Sequence, residues 1–322
     1  DMYTIDFTEY VSKGKVDPVI GREDEVKQLS RVLSRRRKNN AVLVGDPGVG
    51  KTAVVEGLAQ RIVSKDVPNN LAEKRVLALE VANLMAGTKY RGEFEERARK
   101  IVKEISESGR GIILFIDEVH AVVQSHGAEG AINFADILKP ALARGELQMI
   151  GATTHEEYEK YIRTDLSLER RFQPILIDEP SLEETIAILQ GVKEKYSQYH
   201  KVEFTDAALE TAAKLSRQLV KDRRLPDKAI DALDEAGAMV NVSHIHESIP
   251  IVLYKTAVVK NPGVAEIWKK IQALDKKMIN SNGKEQSDLN KKREKLEKGL
   301  QKQGIMIIDS DDIEKVINDW IS

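Results

Sequence analysis

Along the first half of the chain, short apolar runs rich in β-branched residues alternate with stretches of helical spacing. Residues 42–45, 76–81, 112–117, 148–154 and 174–177 have the length and composition of strands buried on both faces, and the segments between them read as helices. That alternation predicts an α/β fold: a doubly wound, five-stranded parallel sheet between helices, with ligands bound at the C-terminal ends of the strands.

From Ser181 the pattern becomes helical. Ser181-Leu182-Glu183-Glu184 is a capping box that opens a helix over 185–195, and 207–220 and 226–240 continue in the same style. Within 265–302, Ile267, Ile271, Leu274 and Met278 step by helical spacing. After Asn282-Gly283, Leu289, Leu296 and Leu300 mark a second stripe in a chain otherwise dominated by Lys, Glu, Asn and Gln. This predicts an antiparallel two-helix hairpin projecting from the body with a solvated outer face. It is either a docking arm or a plain connector. Residues 305–308 read as a returning strand and 311–320 as a last helix. The expected division is an α/β unit at 1–178, a helical unit at 179–244, an insertion carrying the hairpin at 245–304, and a closing strand and helix at 305–322.

The chemistry falls at two of the expected strand ends. Gly45-Asp46-Pro47-Gly48-Val49-Gly50-Lys51-Thr52 fits the phosphate-binding pattern G-x-x-x-x-G-K-[ST], with an apolar strand before it and a helix, beginning near Ala53, after it. Glycines let successive backbone N–H groups turn toward an anion, and the helix adds its positive end. Lys51 would reach the β and γ phosphates and the Thr52 hydroxyl would hold Mg²⁺. The second strand end, Ile116-Asp117-Glu118, carries two carboxylates. Asp117 is placed to orient Mg²⁺ through its water shell, and Glu118, one residue further on, is the candidate general base for attack of water on the γ-phosphorus.

Composition narrows the class further. At 322 residues more than one structural unit is expected. With 50 basic against 52 acidic residues, the chain lacks the bulk positive field of a nucleic-acid binder. It has no cysteine, hence neither a disulfide framework nor a cysteine metal site. No apolar stretch approaches the roughly 20 residues that span a bilayer, and no signal-peptide pattern opens the chain. The expectation is a soluble ATPase that uses ATP/ADP and Mg²⁺.

These motifs, with Thr88-Lys89-Tyr90-Arg91-Gly92-Glu93-Phe94, Val119-His120, Leu138-Lys139-Pro140-Ala141-Leu142, Gly151-Ala152-Thr153-Thr154, Leu168-Glu169-Arg170-Arg171-Phe172 and Leu225-Pro226-Asp227-Lys228-Ala229, resemble the first ATPase module of the Clp-type AAA+ unfoldases, the ClpB and ClpC group. The resemblance covers about residues 4 to 240 and thins beyond 241. The short hairpin favours ClpC over the long coiled coil of ClpB. Without the family's N-terminal domain and second ATPase module, the chain is expected to be a fragment of a larger protein.

The resemblance implies roles for matching positions. Val19 and Ile20, in Asp17-Pro18-Val19-Ile20-Gly21-Arg22, resemble the segment over the adenine. Thr154 resembles sensor 1, which positions the attacking water. Arg170 and Arg171 resemble the arginine fingers that complete a neighbouring subunit's site. Arg224 falls where sensor 2 would lie, although the family's Gly-Ala-Arg is absent there. Lys89, Tyr90 and Arg91 resemble the loop that grips polypeptide in a central pore, and 127–133 offers a second pore loop. An aromatic suits such a grip because it contacts many side-chain types without demanding a particular hydrogen bond. The implied partners are unfolded or tagged polypeptides, five further copies in a homo-hexamer, and a Clp-type protease with adaptor proteins, with no nucleic acid and no membrane. The implied location is the cytoplasm or an organelle of bacterial origin. Two rivals are a DNA-handling AAA+ protein, which predicts basic pore loops, and an assembly module with little hydrolysis of its own.

Overall fold

The computed structural model describes residues 3–85, 91–123, 134–243, 257, 261, 263–278, 284–301 and 305–321, within two compact units, Asp1–Glu179 and Pro180–Ser322. In the first, β1 (Thr4–Asp6), α1 (Phe7–Ser12) and α2 (Glu23–Leu33) precede β2 (Asn40–Val44), α3 (Lys51–Val63), β3 (Arg75–Leu79), α4 (Val81–Met85), α5 (Arg91–Glu107) and β4 (Ile112–Ile116). There follow α6 (Val119–Val123), α7 (Phe134–Arg144), β5 (Gln148–Thr153), α8 (His155–Glu157), α9 (Leu166–Glu169) and β6 (Phe172–Leu176).

The strands form one sheet in the order β1-β3-β4-β5-β2-β6, parallel except for β1. Alternation explains why the strands read as continuous apolar runs. Val42 and Val44 of β2 and Leu114 and Ile116 of β4 face one apolar layer, while Ala41, Leu43, Ile113 and Phe115 face the other. Both faces are covered, so neither parity can be polar. The register sets Val44 opposite Thr153 and Ile116 opposite Gly151. The C-terminal ends of β4, β5 and β2, three neighbours, therefore lie side by side.

Two sequence expectations for this unit need correction. The sheet has six strands rather than five parallel ones: Thr4–Asp6 adds an antiparallel edge on β3. Its last residue is a buried aspartate, a poor strand signal, held by an ion pair to Arg75 at 2.7 Å and by capping of α1. The strand expected over 76–81 ends at Leu79, and Val81 starts α4, where Asn83 and Leu84 donate their N–H groups back to the Glu80 carbonyl.

The second unit contains α10 (Leu182–His200), β7 (Val202–Phe204), α11 (Asp206–Leu219), α12 (Asp227–Ser243), α13 (Gly263–Met278), α14 (Lys284–Gln301), β8 (Met306–Ile308) and α15 (Ser310–Ile321). The capping box forms as read, Ser181 and Glu184 exchanging side-chain and backbone hydrogen bonds. Strands β7 and β8 pair in parallel. The hairpin exists but is not a projecting arm. Trp268, Ile271 and Leu300 are buried with Ile305 and Ile307, on and beside β8. Arg293 of α14 pairs with Asp275 of α13 and Asp309 beyond β8, each at 2.7 Å. One arginine among the five lysines of a hydrophilic helix does not announce partners on other elements, which is why the sequence suggested a solvated rod.

Candidate active site

Residues 45–50 link β2 to α3 as a loop whose shape needs glycine. Gly48 and Gly50 adopt φ of 80° and 96°, a region that side chains disfavour. A Cβ on Gly45 would collide with the carbonyl oxygen of Ile177. Helix α3 begins at Lys51 with no side chain capping its N-terminus, so its first N–H groups face the loop's concavity as donors for an anion. The loop is braced from behind by Arg22, which is buried and donates to the carbonyls of Val49 at 2.6 Å and Asp178 at 2.9 Å while pairing with Glu25 at 2.7 Å.

Lys51 folds back on the loop, donating to the carbonyls of Gly45 at 2.8 Å and Asp46 at 2.9 Å. Burial lowers its pKa, against the opposing charges of Asp117, Asp46, Glu157 and Glu118. The Thr52 hydroxyl meets the Asp117 carboxylate at 3.4 Å. Two residues read as Mg²⁺ ligands from separate motifs thus lie against each other. Glu118 follows in a turn with φ of 48°, unusual for a residue with a side chain, and its N–H donates to Asp117 at 2.9 Å. Both carboxylates are exposed.

Thr154, at the end of β5, is the N-cap of α8, where Glu157 completes a capping box. One oxygen of Glu157 accepts from the Thr154 hydroxyl at 2.8 Å, the Thr154 N–H at 3.1 Å and the Thr153 hydroxyl at 3.1 Å. His120, on α6 two positions past Glu118, puts Nδ1 3.0 Å from that oxygen and 3.1 Å from the Thr153 hydroxyl. Val19 donates its N–H to Gln60 of α3 at 3.5 Å, and Gly57 leaves the space that lets Val19 and Val26 approach that helix. The segment containing Val19 and Ile20 therefore lies along α3, the helix that the phosphate loop opens.

Arg170 and Arg171 follow α9, which Asp165 caps by accepting from the Ser167 and Leu168 N–H groups. Burial works against the Asp165 charge, but hydrogen bonds from Lys139 and Ser167 outweigh it and hold the carboxyl down to about 2. Arg171 donates to the carbonyls of Leu142 and Ala143 at 3.1 and 3.2 Å, at the C-terminal end of α7, where a cation is favoured. Arg170 is exposed.

Comparison with known proteins matches this architecture. Residues 41–178 match the ATPase family associated with various cellular activities (AAA), and residues 181–301 match the AAA lid domain. The chain carries an AAA ATPase domain followed by an AAA lid domain. This AAA chain is 50% identical over 305 residues to the chaperone protein ClpB of Aquifex aeolicus (strain VF5), covering 94% of the chain and 29% of that protein. It is 57% identical over 242 residues to ClpB of Oceanobacillus iheyensis, covering 75% of the chain and 30% of that protein. Among solved structures, the S. cerevisiae Hsp104-ADP complex superposes with a TM-score of 0.70 at 49% identity, over 75% of this chain and 41% of that one. An S. cerevisiae Hsp104:casein complex superposes with a TM-score of 0.69 at 40% identity, over 94% and 53%. The AAA chain thus spans about 30% of the length of these curated ClpB relatives. The kinship with ClpC, read from the hairpin's length, has no counterpart among these named relatives.

The AAA fold brings together Lys51, Thr52, Asp117, Glu118 and Thr154 beyond the C-terminal ends of three neighbouring inner strands. Arg224 belongs to the second unit, in the turn before α12, and is exposed. Lys89 and Tyr90 of the first pore loop, and all of 127–133, lie outside the described residues; Arg91 opens α5 with its side chain outside them. Sequence reasoning missed Arg22 as the brace of the phosphate loop, and Glu157 and His120 beside Thr154. Arg22 and His120 stood inside quoted motifs, but their partners are distant in sequence and only folding reveals them.

Proposed function

We propose that this AAA module binds and hydrolyses ATP, and that in the whole protein hydrolysis drives the threading of polypeptide through the pore of a ring. The observation that carries the reading is the meeting of Thr52 and Asp117 beside the phosphate loop, with Glu118 next in the chain. Mg²⁺ fits that place, because a hydroxyl and a carboxylate supply hard oxygen donors and leave the remaining positions to water and phosphate oxygens. Among the described residues no group of three or more His, Asp or Glu is arranged to hold a metal alone, in keeping with a cation shared with a nucleotide. When bound, Mg²⁺ would neutralise charge on the phosphates.

The chain's own groups supply the rest. Backbone N–H groups of the loop and the start of α3 cradle the phosphates, and Lys51 swings from its carbonyl partners to the β and γ oxygens. Glu118 takes a proton from the attacking water, while Thr154 orients it. Val19 and Ile20 cover the base. Arg170 is the finger offered to a neighbouring copy, with Arg171 securing its segment on α7, and Arg224 is assigned to sensing bound nucleotide. Lys89, Tyr90 and Arg91 are assigned to gripping polypeptide. Casein in the Hsp104 complex is a polypeptide of the kind proposed. A protease and adaptor proteins are further proposed partners. No helix among the described residues is long and apolar enough to cross a membrane.

The test uses the whole natural protein. Arg170→Ala is expected to keep nucleotide binding and lower turnover by about 10³-fold. Mixing it with Glu118→Gln protein should restore activity at interfaces that pair an intact Glu118 with an intact Arg170. Tyr90→Ala should stop ATP-driven loss of fluorescence from a tagged stable reporter. Mixed rings with no recovered turnover would remove the trans site, and reporter unfolding by Tyr90→Ala as fast as by the unmodified protein would remove the pore grip.

A further inference from the structure

We infer that Glu157, steadied by His120, is the positioning residue that sets the polarity and direction of the Thr154 hydroxyl for the attacking water; the inference rests on the ATPase reading above. A carboxylate only accepts hydrogen bonds. The Thr154 hydroxyl, 2.8 Å from Glu157, therefore gives its proton to that carboxylate. One lone pair of the same hydroxyl takes the Glu157 N–H at 3.3 Å. The other has no donor among the described residues and is left to accept. Thr154 thus receives a hydrogen from water instead of offering its own to a phosphate oxygen.

The same logic fixes His120. Its Nδ1 faces the Glu157 oxygen at 3.0 Å and the Thr153 hydroxyl at 3.1 Å, and that hydroxyl already donates to Glu157. Nδ1 must then carry the hydrogen and share it between the two. Burial opposes the Glu157 charge, but the Thr154 and Thr153 hydrogen bonds and His120 outweigh it and hold the carboxyl below the usual range, so it stays an acceptor at neutral pH.

His120 also ties this cluster to the general base. It follows Glu118 and Val119 on one turn, and Val119 is pressed against β5 so closely that a Cβ on Gly151 would sit 2.9 Å from its Cγ1. Glu118 and Thr154 are therefore linked twice, by apolar packing through Gly151 and by the hydrogen bonds of His120 and Glu157. The alternative role for Glu157 is to cap the three-residue helix α8 and nothing more.

Steady-state kinetics on the whole natural protein separates the two roles, taking turnover at this site as the part lost in Lys51→Ala. Glu157→Ala is expected to lower kcat about 10- to 100-fold while the KM for ATP stays within about threefold, the pattern of a misplaced reacting group. Glu157→Gln keeps an acceptor oxygen at the same reach, and His120→Asn returns an N–H close to the place of Nδ1. Each should recover most of what the corresponding alanine variant loses. His120→Ala carries the same test should Glu157→Ala not fold. Lower stability toward urea with unchanged kcat in both alanine variants would reduce Glu157 to a helix cap and overturn the link. An unmodified protein with no turnover removable by Lys51→Ala would overturn the ATPase reading and the link with it, and is recognised because the parent itself is silent.

Discussion

Each unit of this protein gathers several carboxylates around one cation, and the two gatherings have opposite character. Lys51, half-buried, gives its hydrogen bonds to the carbonyls of Gly45 and Asp46, while Asp117 and Glu118 stand exposed nearby. Arg293, its side chain 7% exposed, pairs with Asp275 and Asp309 at 2.7 Å and with Glu297 at 3.0 Å. The electrostatics follow the geometry. At Lys51 burial prevails and lowers the pKa, whereas at Arg293 burial is outweighed by Asp309, Glu297 and Asp275, which raise it. A guanidinium fork saturated by carboxylates has nothing left to offer a ligand. An ammonium parked on carbonyls beside exposed acids does. Open hydrogen-bonding positions, a glycine loop at positive φ and an off-centre backbone at Glu118 mark the first cluster as a site, and the second as a fastening.

The largest effect should come from Glu118, and it should fall on rate alone. Glu118→Gln is expected to cut turnover at this site about 10²- to 10⁴-fold, the usual worth of a general base, with nucleotide affinity nearly unchanged. Lys51→Ala should instead lose affinity. Binding titrations with a fluorescent nucleotide, run beside turnover assays, read both. Equal loss of affinity in the two variants would erase the division of labour and with it the description of the first cluster as an open catalytic site.

The fastening should respond in stability instead. Arg293→Met leaves Asp275, Glu297 and Asp309 buried with no cation, and removing one partner of such a buried cluster costs about 3–5 kcal/mol. Arg293→Lys should recover only part of this, because an ammonium lacks the planar fork that bridges two carboxylates. Urea unfolding followed by the fluorescence of Trp268, which is buried within the same hairpin, measures the loss. A neutral Arg293→Met would mean that the hairpin docks by apolar contact alone, and the contrast between the clusters would collapse to one of burial.

The same contrast explains what could be read before folding. The phosphate loop and Asp117-Glu118 were legible because each is contiguous and its chemistry follows from residue type and order. Five of the six sheet strands sat where apolar runs fell within a residue or two of the observed bounds, β3 among them although it was extended two residues too far, to Val81. Strand β1 was not legible, because three residues ending in a buried Asp6 carry too little pattern, and the aspartate is tolerable only with Arg75 of β3 beside it. Both helical stripes of the hairpin were legible, but its docking was not, since Asp275, Arg293 and Asp309 come from three segments. Arg22 contacts Val49 and Asp178, 27 and 156 positions away, distances over which no local period gives a signal. Glu157 escaped notice for another reason: a threonine and a glutamate three apart are an ordinary helix cap until the histidine beyond Glu118 arrives beside them.

The smallest effect tests whether the fastening is complete at neutral pH. Arg293 is shared among three acids, and burial pushes Glu297 up to about 7 from an ordinary 4.5, with Arg293 opposing and Asp309, Asp275 and Asp312 adding to the rise. Between those two values the folded protein keeps a proton that the unfolded chain has released, so the native state binds more protons and stability falls as pH climbs through the window. Below about 4.5 both states hold the proton, and above about 7 both have lost it, so the contribution is flat on either side. The drop across the window should be about 1–3 kcal/mol, since each pKa unit is worth about 1.4 kcal/mol and Glu297 keeps some contact with solvent. Burial also raises Asp275, Asp311 and Asp312, which adds slope of the same sign toward the acid end. Glu297→Gln isolates the effect, because the amide imitates the protonated acid at every pH. The variant should match the parent in urea at about pH 5 and exceed its stability at about pH 8. An unaltered slope in Glu297→Gln would show that Arg293 neutralises all three acids together, making the second cluster more tightly closed than its geometry indicates.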